Sequence, residues 1–539
     1  MQLKQNVTFF MMPFRIDGAV TAATLKDSIW QPCAISFDKS KLFEHVGRIL
    51  NPDRSQADSS FSYDYYALKP EAKAVRSMLS KTMAIQTKSD DGSLQTIPFT
   101  LGQAEETVGP ESFFSPKLII CNEAGIGMLM LSVQMSQQNA PGVFTLEHLM
   151  ALNYALFKTY PADSSQTHPI YLSTQTDVLS VQASLQQADE QQRRKLESRL
   201  KGQMASLPGK AAVIDEALLR QPGATDWSAD VTAWSWNMGE LTARLMHDLR
   251  GQYHRFDDFR LHVFTYLQVG ESECGDSLRD DFIRIVMVQN HNYQVLADTA
   301  GKDASHVEQT FRNIYIGASE EGGGILTLLP DDGDRQEQGT FVADFMYSTL
   351  TQSYLWTYLM AQMQRFTLLN METRLTSYNF NRGNTGETRN KLRRLIRQLT
   401  ACKVNSQFVD ISDHRQQNQF YRLCTRCLRL TEQQRNVEQK VDSLREYLEM
   451  LTEQGNEAME HRKTNLAHWL AVGGGVLALF SSMLDSWDLF DENHLDLMSA
   501  GLPAVLHGFF VLGCLIVVGI AVWLVVDSYL NSAASTSRR

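Results

Sequence analysis

Catalytic signatures are missing from this chain. It holds no G-x-x-x-x-G-K-[ST], no H-E-x-x-H, no G-x-S-x-G and no zinc-spaced set of Cys and His, so an enzymatic reading has no motif to rest on and the chain is read as a non-enzyme. Cysteine is sparse too. Cys33, Cys121, Cys274, Cys402, Cys424, Cys427 and Cys514 are odd in number and lack framework spacing, which argues against a disulfide-stapled domain and suits a reducing compartment. Cys424 and Cys427 form a C-x-x-C without a second pair, and read as helix packing rather than redox or metal chemistry. Basic charge is in deficit: 50 Lys and Arg against 61 Asp and Glu leave a net charge of −11. That balance disfavours a general grip on nucleic acid, so no direct nucleic-acid partner is expected, while a local basic patch stays open. The first residues lack the apolar core and small-residue cleavage site of a signal peptide, which keeps the bulk of the chain in the cytosol.

What is present divides into three regions: 1–340, read as an α+β ligand-sensing domain open to division near 208–226; 341–465, an all-α stalk; and 466–539, a two-helix transmembrane hairpin. In the first region Val7–Phe14 and Pro32–Phe37 are strand-like, and Lys117–Cys121 with Ile126–Met135 is the clearest hairpin, turning at Asn122–Gly125. Leu146, Leu149, Leu152 and Leu156 predict a helix over Thr145–Lys158. Residues 178–207 read as a surface helix. After a Gly- and Pro-punctuated loop come a helix at Ala229–Arg250, strands at Phe259–Val269 and Phe282–Val288, and a second hairpin pairing Arg312–Ile316 with Ile325–Leu329, in one sheet or two similar ones. Its Gly322-Gly-Gly324 reads either as a tight turn or as a place where a backbone approaches a ligand closely.

Beyond Asp334 everything is helical. Phe341–Leu375 is aromatic- and Met-rich, as in a helix buried on most faces, and Thr385–Phe408 is a basic helix. From Asp413 one unbroken helix is expected, on the order of 100 Å long. Its seam of Leu423, Cys427, Leu430, Val437, Val441, Leu444, Leu448 and Leu451 at four-three spacing suits packing against copies of itself. This rod runs into Leu466–Leu484, free of charged residues and long enough to cross a bilayer, and Ala504–Val526 supplies a second span. No Lys or Arg lies between Lys463 and Arg538, so both termini are placed in the cytoplasm. Asp485, Asp488, Asp491, Glu492 and Asp496 in the outer connection read either as a solubilising loop or as a cation-attracting mouth. Gly473-Gly-Gly475 suits close helix packing or a narrow pore segment. Asn465, His468, Gly475 and Ser482 are the candidate pore-lining residues.

Arg393, Arg394 and Arg397, with the stripe Arg422, Arg426 and Arg429, are candidate ligand-binding residues: spacing of four and three puts the stripe on one face, where it could hold phosphates bidentately. Pairing with acidic neighbours or with an anionic lipid leaflet is the alternative.

This order of parts resembles the CorA superfamily of two-span, usually pentameric cation transporters, over roughly Phe341–Arg539 and in layout rather than in letters. The Gly-Met-Asn that those transporters carry at the end of the first span is absent, Ser481-Ser-Met-Leu-Asp-Ser-Trp487 standing there instead, so magnesium selectivity does not carry over. With its large cytosolic region, the chain is most similar to the divergent CorA-like membrane effectors associated with type III CRISPR systems. That resemblance implies an inner-membrane homopentameric channel, opened by a nucleotide second messenger on the cytosolic domain and acting in antiviral defence by permeabilising the membrane. No covalent cofactor is expected; a nucleotide ligand and a divalent cation are. The alternatives are a divalent-cation transporter of ordinary CorA type and a membrane-anchored coiled-coil scaffold.

Overall fold

The computed structural model describes residues 1–35, 42–50, 62–72, 75–76, 79, 82–88, 94–102, 114–135, 144–160, 170–172, 237–271, 275, 277–295, 306–330, 353–376, 386–406 and 408–492, together with Gly519 and Trp523. The reading of 178–207 as a surface helix falls outside these residues, as do Asp496 and, save for Gly519 and Trp523, the stretch 504–526.

The strands are β1 (Leu3–Ile16), β2 (Trp30–Cys33), β3 (Asp64–Leu68), β4 (Thr82–Lys88), β5 (Leu94–Leu101), β6 (Lys117–Cys121), β7 (Ile126–Met135), β8 (Ile170–Leu172), β9 (Tyr253–Arg255), β10 (His262–Gly270), β11 (Val307–Phe311), β12 (Ile314–Ala318) and β13 (Gly322–Leu329). The helices are α1 (Glu44–Leu50), α2 (Leu146–Phe157), α3 (Met238–Leu245), α4 (Leu278–Val286), α5 (Leu355–Thr376), α6 (Gly386–Ser406), α7 (Arg415–Cys427) and α8 (Leu430–Glu492).

All the strands named join one sheet in the order β11-β12-β13-β10-β1-β7-β5-β4-β8, with β6, β3 and β2 branching from β7 and β9 pairing with β1. Of these pairings only β10 with β13 is parallel. The sheet is therefore single rather than double. β1 lies at its centre, and Val7–Phe14 is apolar and buried on both faces, as a strand covered from two sides must be. Phe10, Met12 and Phe14 turn to one face, with Leu131, Val263 and Leu267, and join the core formed with Leu149, Leu152 and Leu156 of α2 and Phe282 and Ile285 of α4. The opposite face carries Phe9 and Phe264, whose rings meet at 6.4 Å; Phe264 in turn packs on Tyr358 of α5 (5.1 Å) and Phe420 of α7 (6.2 Å). Helices thus cover both faces.

Both expected hairpins form, β6 with β7 and β12 with β13. Gly125 adopts φ 65° in the first turn, and Asn370 of α5 grips that turn by donating to the carbonyls of Ala124 (2.7 Å) and Gly125 (3.1 Å). In the second, the glycine run is part of a strand rather than the turn itself. It lies within β13, where a Cβ on Gly322 would come 2.5 Å from the Val286 carbonyl and one on Gly323 would come 2.6 Å from Tyr358, so these glycines let helices close on both faces.

The helix expected over Thr145–Lys158 forms as α2, with Thr145 and His148 in a reciprocal cap. Phe282–Val288, expected as a strand, is instead mostly α4. Its buried Leu278, Phe282, Ile285 and Val286 follow a helical stripe, and Asp280 and Asp281 in its first turn with Arg284 in its last suit the helix dipole. α5 is buried almost all round, as its composition predicts.

The rod expected to start at Asp413 is two helices. Leu428 caps α7 and Arg429 takes φ 51°, a left-handed conformation costing roughly 1–2 kcal/mol for a residue with a side chain. Leu428 and Leu430, on either side of this residue, are both buried.

Two compact units divide these residues: Met1–Asn381 with Arg393–Leu444, and Arg382–Leu392 with Arg445–Arg539. In the first unit Leu430, Val437, Val441 and Leu444 of α8 are buried within the single chain, and Lys440 pairs with Glu372 of α5, so this part of the seam is filled by the chain itself. In the second unit α8 exposes Met459, Leu466, Trp469, Leu470 and Val472.

No transmembrane hairpin is found among the described residues. Among the described residues no helix is long and apolar enough to cross a membrane. The stretch 466–484 is a segment of α8, with Arg462 and Lys463 before it and Asp485, Asp488, Asp491 and Glu492 after it in the same helix. Those four acidic residues are helical and form no loop. The readings of the chain as a multi-pass inner-membrane protein and an ion channel, and the orientation of its termini, rested on two spans and are withdrawn.

Candidate functional site

The tight turn between β12 and β13 carries Glu320 and Glu321, and arginines from three elements reach it. Ser319 shapes it: its Oγ accepts from the amides of Glu321 (3.2 Å) and Gly322 (3.0 Å) and donates to the Val286 carbonyl (2.8 Å). The Glu321 carbonyl accepts from Val263 N at 3.1 Å, fixing the turn against the start of β10. Two carboxylates then project among arginines from three elements. Arg260, before β10, pairs with Glu321; Arg365 of α5 donates from Nη1 to the Glu320 carbonyl at 2.7 Å; and Arg429, between α7 and α8, brings Nε to 3.8 Å from the Glu320 carboxylate. Nearby, Arg426 reaches Glu308 of β11 at 2.8 Å, and Gln419 of α7 donates to the same carboxylate at 3.0 Å.

Behind the turn the environment dries. His262 stacks edge-on against Phe366 (5.1 Å), which packs on Phe256 (4.9 Å). Part of the residue still reaches solvent, but its Nδ1 is shielded and unpartnered. Burial, reinforced by the Arg365 cation, pushes the imidazole down to about 3, so it is neutral at ordinary pH. Burial lowers the Arg365 guanidinium too, with Glu320 pulling the other way. Glu321 is raised by burial against the opposing pull of Arg260. Beside Arg260, the ring of Phe259 stacks on Tyr160 at 5.1 Å and stays half exposed.

Exposed ion pairs of this kind are worth about 0.2–1 kcal/mol each, so the arginines can change partners at little cost. A multiply charged anion competing with the glutamates would gain several such contacts at once.

Of the residues singled out from the sequence, Arg426 and Arg429 reach this acidic cluster, whereas Arg422 pairs with Asp410 at 2.9 Å. The alternative of acidic neighbours describes all three. Arg393, Arg394 and Arg397 lie exposed on α6, and Asn465, His468, Gly475 and Ser482 exposed on α8. Cys424 and Cys427 have thiols raised by burial, the first well above its usual range and the second to about 11, so neither is a ready thiolate. Among the described residues no group of three or more His, Cys, Asp or Glu side chains is placed to hold a metal ion. Sequence reasoning passed over Glu308, Glu320, Glu321, His262 and Arg365. Arg365 had a signal: it is the sole charged residue between Leu355 and Met371 in a stretch otherwise suited to burial.

Comparison with protein-family models, with curated proteins and with solved structures gave no match, so fold and site stand on the geometry above.

Proposed function

We propose that the chain is a ligand-operated switch that acts by binding rather than catalysis: a nucleotide-like anion takes arginines from Glu308, Glu320 and Glu321, and the release is handed to α8, through which copies of the chain assemble. One observation carries the reading. Arg429, the left-handed residue between α7 and α8, is itself a partner of the site through Glu320, so a ligand that displaces Glu320 acts directly on the joint that sets the direction of α8. A ligand shifts such an equilibrium only through unequal affinity for the two states, and a joint strained in one of them is a suitable two-state element. The expected part in antiviral defence remains an inference from resemblance, carried here without any bilayer-crossing step.

Competition gives the test. Replacing both glutamates (Glu320→Gln with Glu321→Gln) removes the internal competitors and should tighten binding of ATP or a cyclic dinucleotide, measured by calorimetry, by about tenfold if each displaced pair is worth ~0.5–1 kcal/mol. Weaker binding in that variant would mean that the carboxylates recruit the ligand rather than compete with it. A second reading, a scaffold joined through α8, is favoured by the exposed Leu466 (65%) and Leu470 (70%), and needs no ligand at all. Assembly that ignores every nucleotide tested would support it.

A further inference from the structure

In the second unit, Leu466 and Leu470 are the most exposed of the large apolar side chains described on α8. Gly474, four positions on, is exposed too, and a Cβ added there would meet nothing within 4 Å. Ala478 and Ser482 continue the row, both small and both exposed. Residues at every fourth position are neighbours along a helix and form the kind of ridge by which two helices pack. Apolar surface in water is unfavourable, and a glycine weakens the interior of a helix, so both features call for something to lie against them. The charges are sorted as well. Arg462 and Lys463 stand just before the row and Asp485 just after it, with no Asp, Glu, Lys or Arg between Lys463 and Asp485.

We propose that α8 pairs in antiparallel register with α8 of a second copy, centred on Gly474; this rests on the reading above that copies of the chain assemble through α8. The row is a palindrome in spacing and in size. With Gly474 set against its own copy, Leu470 comes opposite Ala478 and Leu466 opposite Ser482, so each leucine of one chain faces a small residue of the other. The glycines let the two backbones close at the centre. Lys463 and Asp485 each stand eleven positions from Gly474, so a basic position meets an acidic one at both limits of a contact about 33 Å long. One turn further out Glu460 comes opposite Asp488, and like charges end the seam. A parallel pair would instead set Arg462 and Lys463 against themselves and Asp485 and Asp488 against themselves, a like-charge juxtaposition that disfavours the arrangement. One patch meeting itself about a two-fold axis is the isologous form that closes a dimer.

Sedimentation velocity of the full-length chain gives the assembly state, and a zero-length carbodiimide applied to mixed 15N-labelled and unlabelled chains gives its direction. The expected result is a dimer with an isotopically mixed link between Lys463 and Asp485. Lys463→Glu and Asp485→Lys should each weaken association by about tenfold, since each turns two symmetric attractions into repulsions, and an equimolar mixture of the two variants should recover the wild-type strength. A parallel bundle would leave each variant alone as tight as the wild type. That result overturns the proposal, and so does a wild-type chain that stays monomeric, which requires no variant to fold. Flotation of unpaired wild-type chain with phosphatidylglycerol vesicles would give Leu466 and Leu470 to lipid and overturn it too. The two readings fail separately. An antiparallel dimer of equal strength with and without ATP keeps this pairing and removes the switch, whereas ATP-driven assembly that is indifferent to both charge reversals keeps the switch and removes this pairing.

Discussion

Substituting Arg429 by Gly separates the joint between α7 and α8 from the ligand site. Three effects oppose one another. Glycine relieves the left-handed conformation at φ 51°, a gain of about 1–2 kcal/mol. It also loosens the unfolded chain, a loss of about 0.4–1 kcal/mol. The ion pair to Glu320, at 3.8 Å with both side chains largely in solvent, adds a loss of about 0.2–1 kcal/mol. The balance lies within about 1 kcal/mol of the wild type, so Arg429→Gly should fold normally in urea denaturation, while Arg429→Pro, whose ring cannot reach a positive φ, should lose about 3 kcal/mol or more. Arg429→Gly should still bind nucleotide but no longer transmit binding to α8. A loss above about 2 kcal/mol for Arg429→Gly would refute this reasoning, since neither the strain nor an exposed pair can supply it.

Further outcomes follow from the packing. Gly323→Ala places a methyl 2.6 Å from the Tyr358 ring and should cost about 1–3 kcal/mol in a denaturation series, whereas Gly475→Ala, with nothing within 4 Å, should stabilise an unassembled chain by up to about 1 kcal/mol. Loss of assembly in Gly475→Ala would show that a partner helix lies against that glycine. Tyr421→Phe removes a 2.6 Å bond to buried Gln364 and should cost about 1–3 kcal/mol, read from the same curves. Because the folded value of His262, about 3, lies below its unfolded value, the unfolded state takes up the proton first. Stability should therefore fall as pH drops from about 6.5 toward 3, by up to about 1.4 kcal/mol per pH unit, and His262→Phe should flatten that slope. Glu321, raised in the fold, works in the opposite sense: its contribution is present at low pH and is lost as pH climbs through its folded value.

Local signals carried well where they were strong. Asn122–Gly125 between two apolar runs marked the hairpin, Thr145 before a leucine stripe marked α2, and the aromatic- and Met-rich run Phe341–Leu375 marked a helix buried on most faces. They misled where two patterns overlap: the β-branched Ile283, Ile285, Val286 and Val288 read as a strand, yet burial of one stripe against the sheet decides for a helix. The break at Arg429 carries neither Gly nor Pro to mark it, and Leu428 and Leu430 on either side are both buried. The same holds for the site, where Arg426 and its partner Glu308 lie 118 positions apart in sequence. The first apolar stretch near the C-terminus matched the length of a span, yet among the described residues no helix is long and apolar enough to cross a membrane.

Amide hydrogen exchange over residues 415–445, with and without saturating nucleotide, tests the switch most directly. The account predicts that exchange quickens around Leu428–Leu430 when the ligand is bound and that Arg429→Gly abolishes the difference. Unchanged exchange in a demonstrably ligand-bound protein would contradict it.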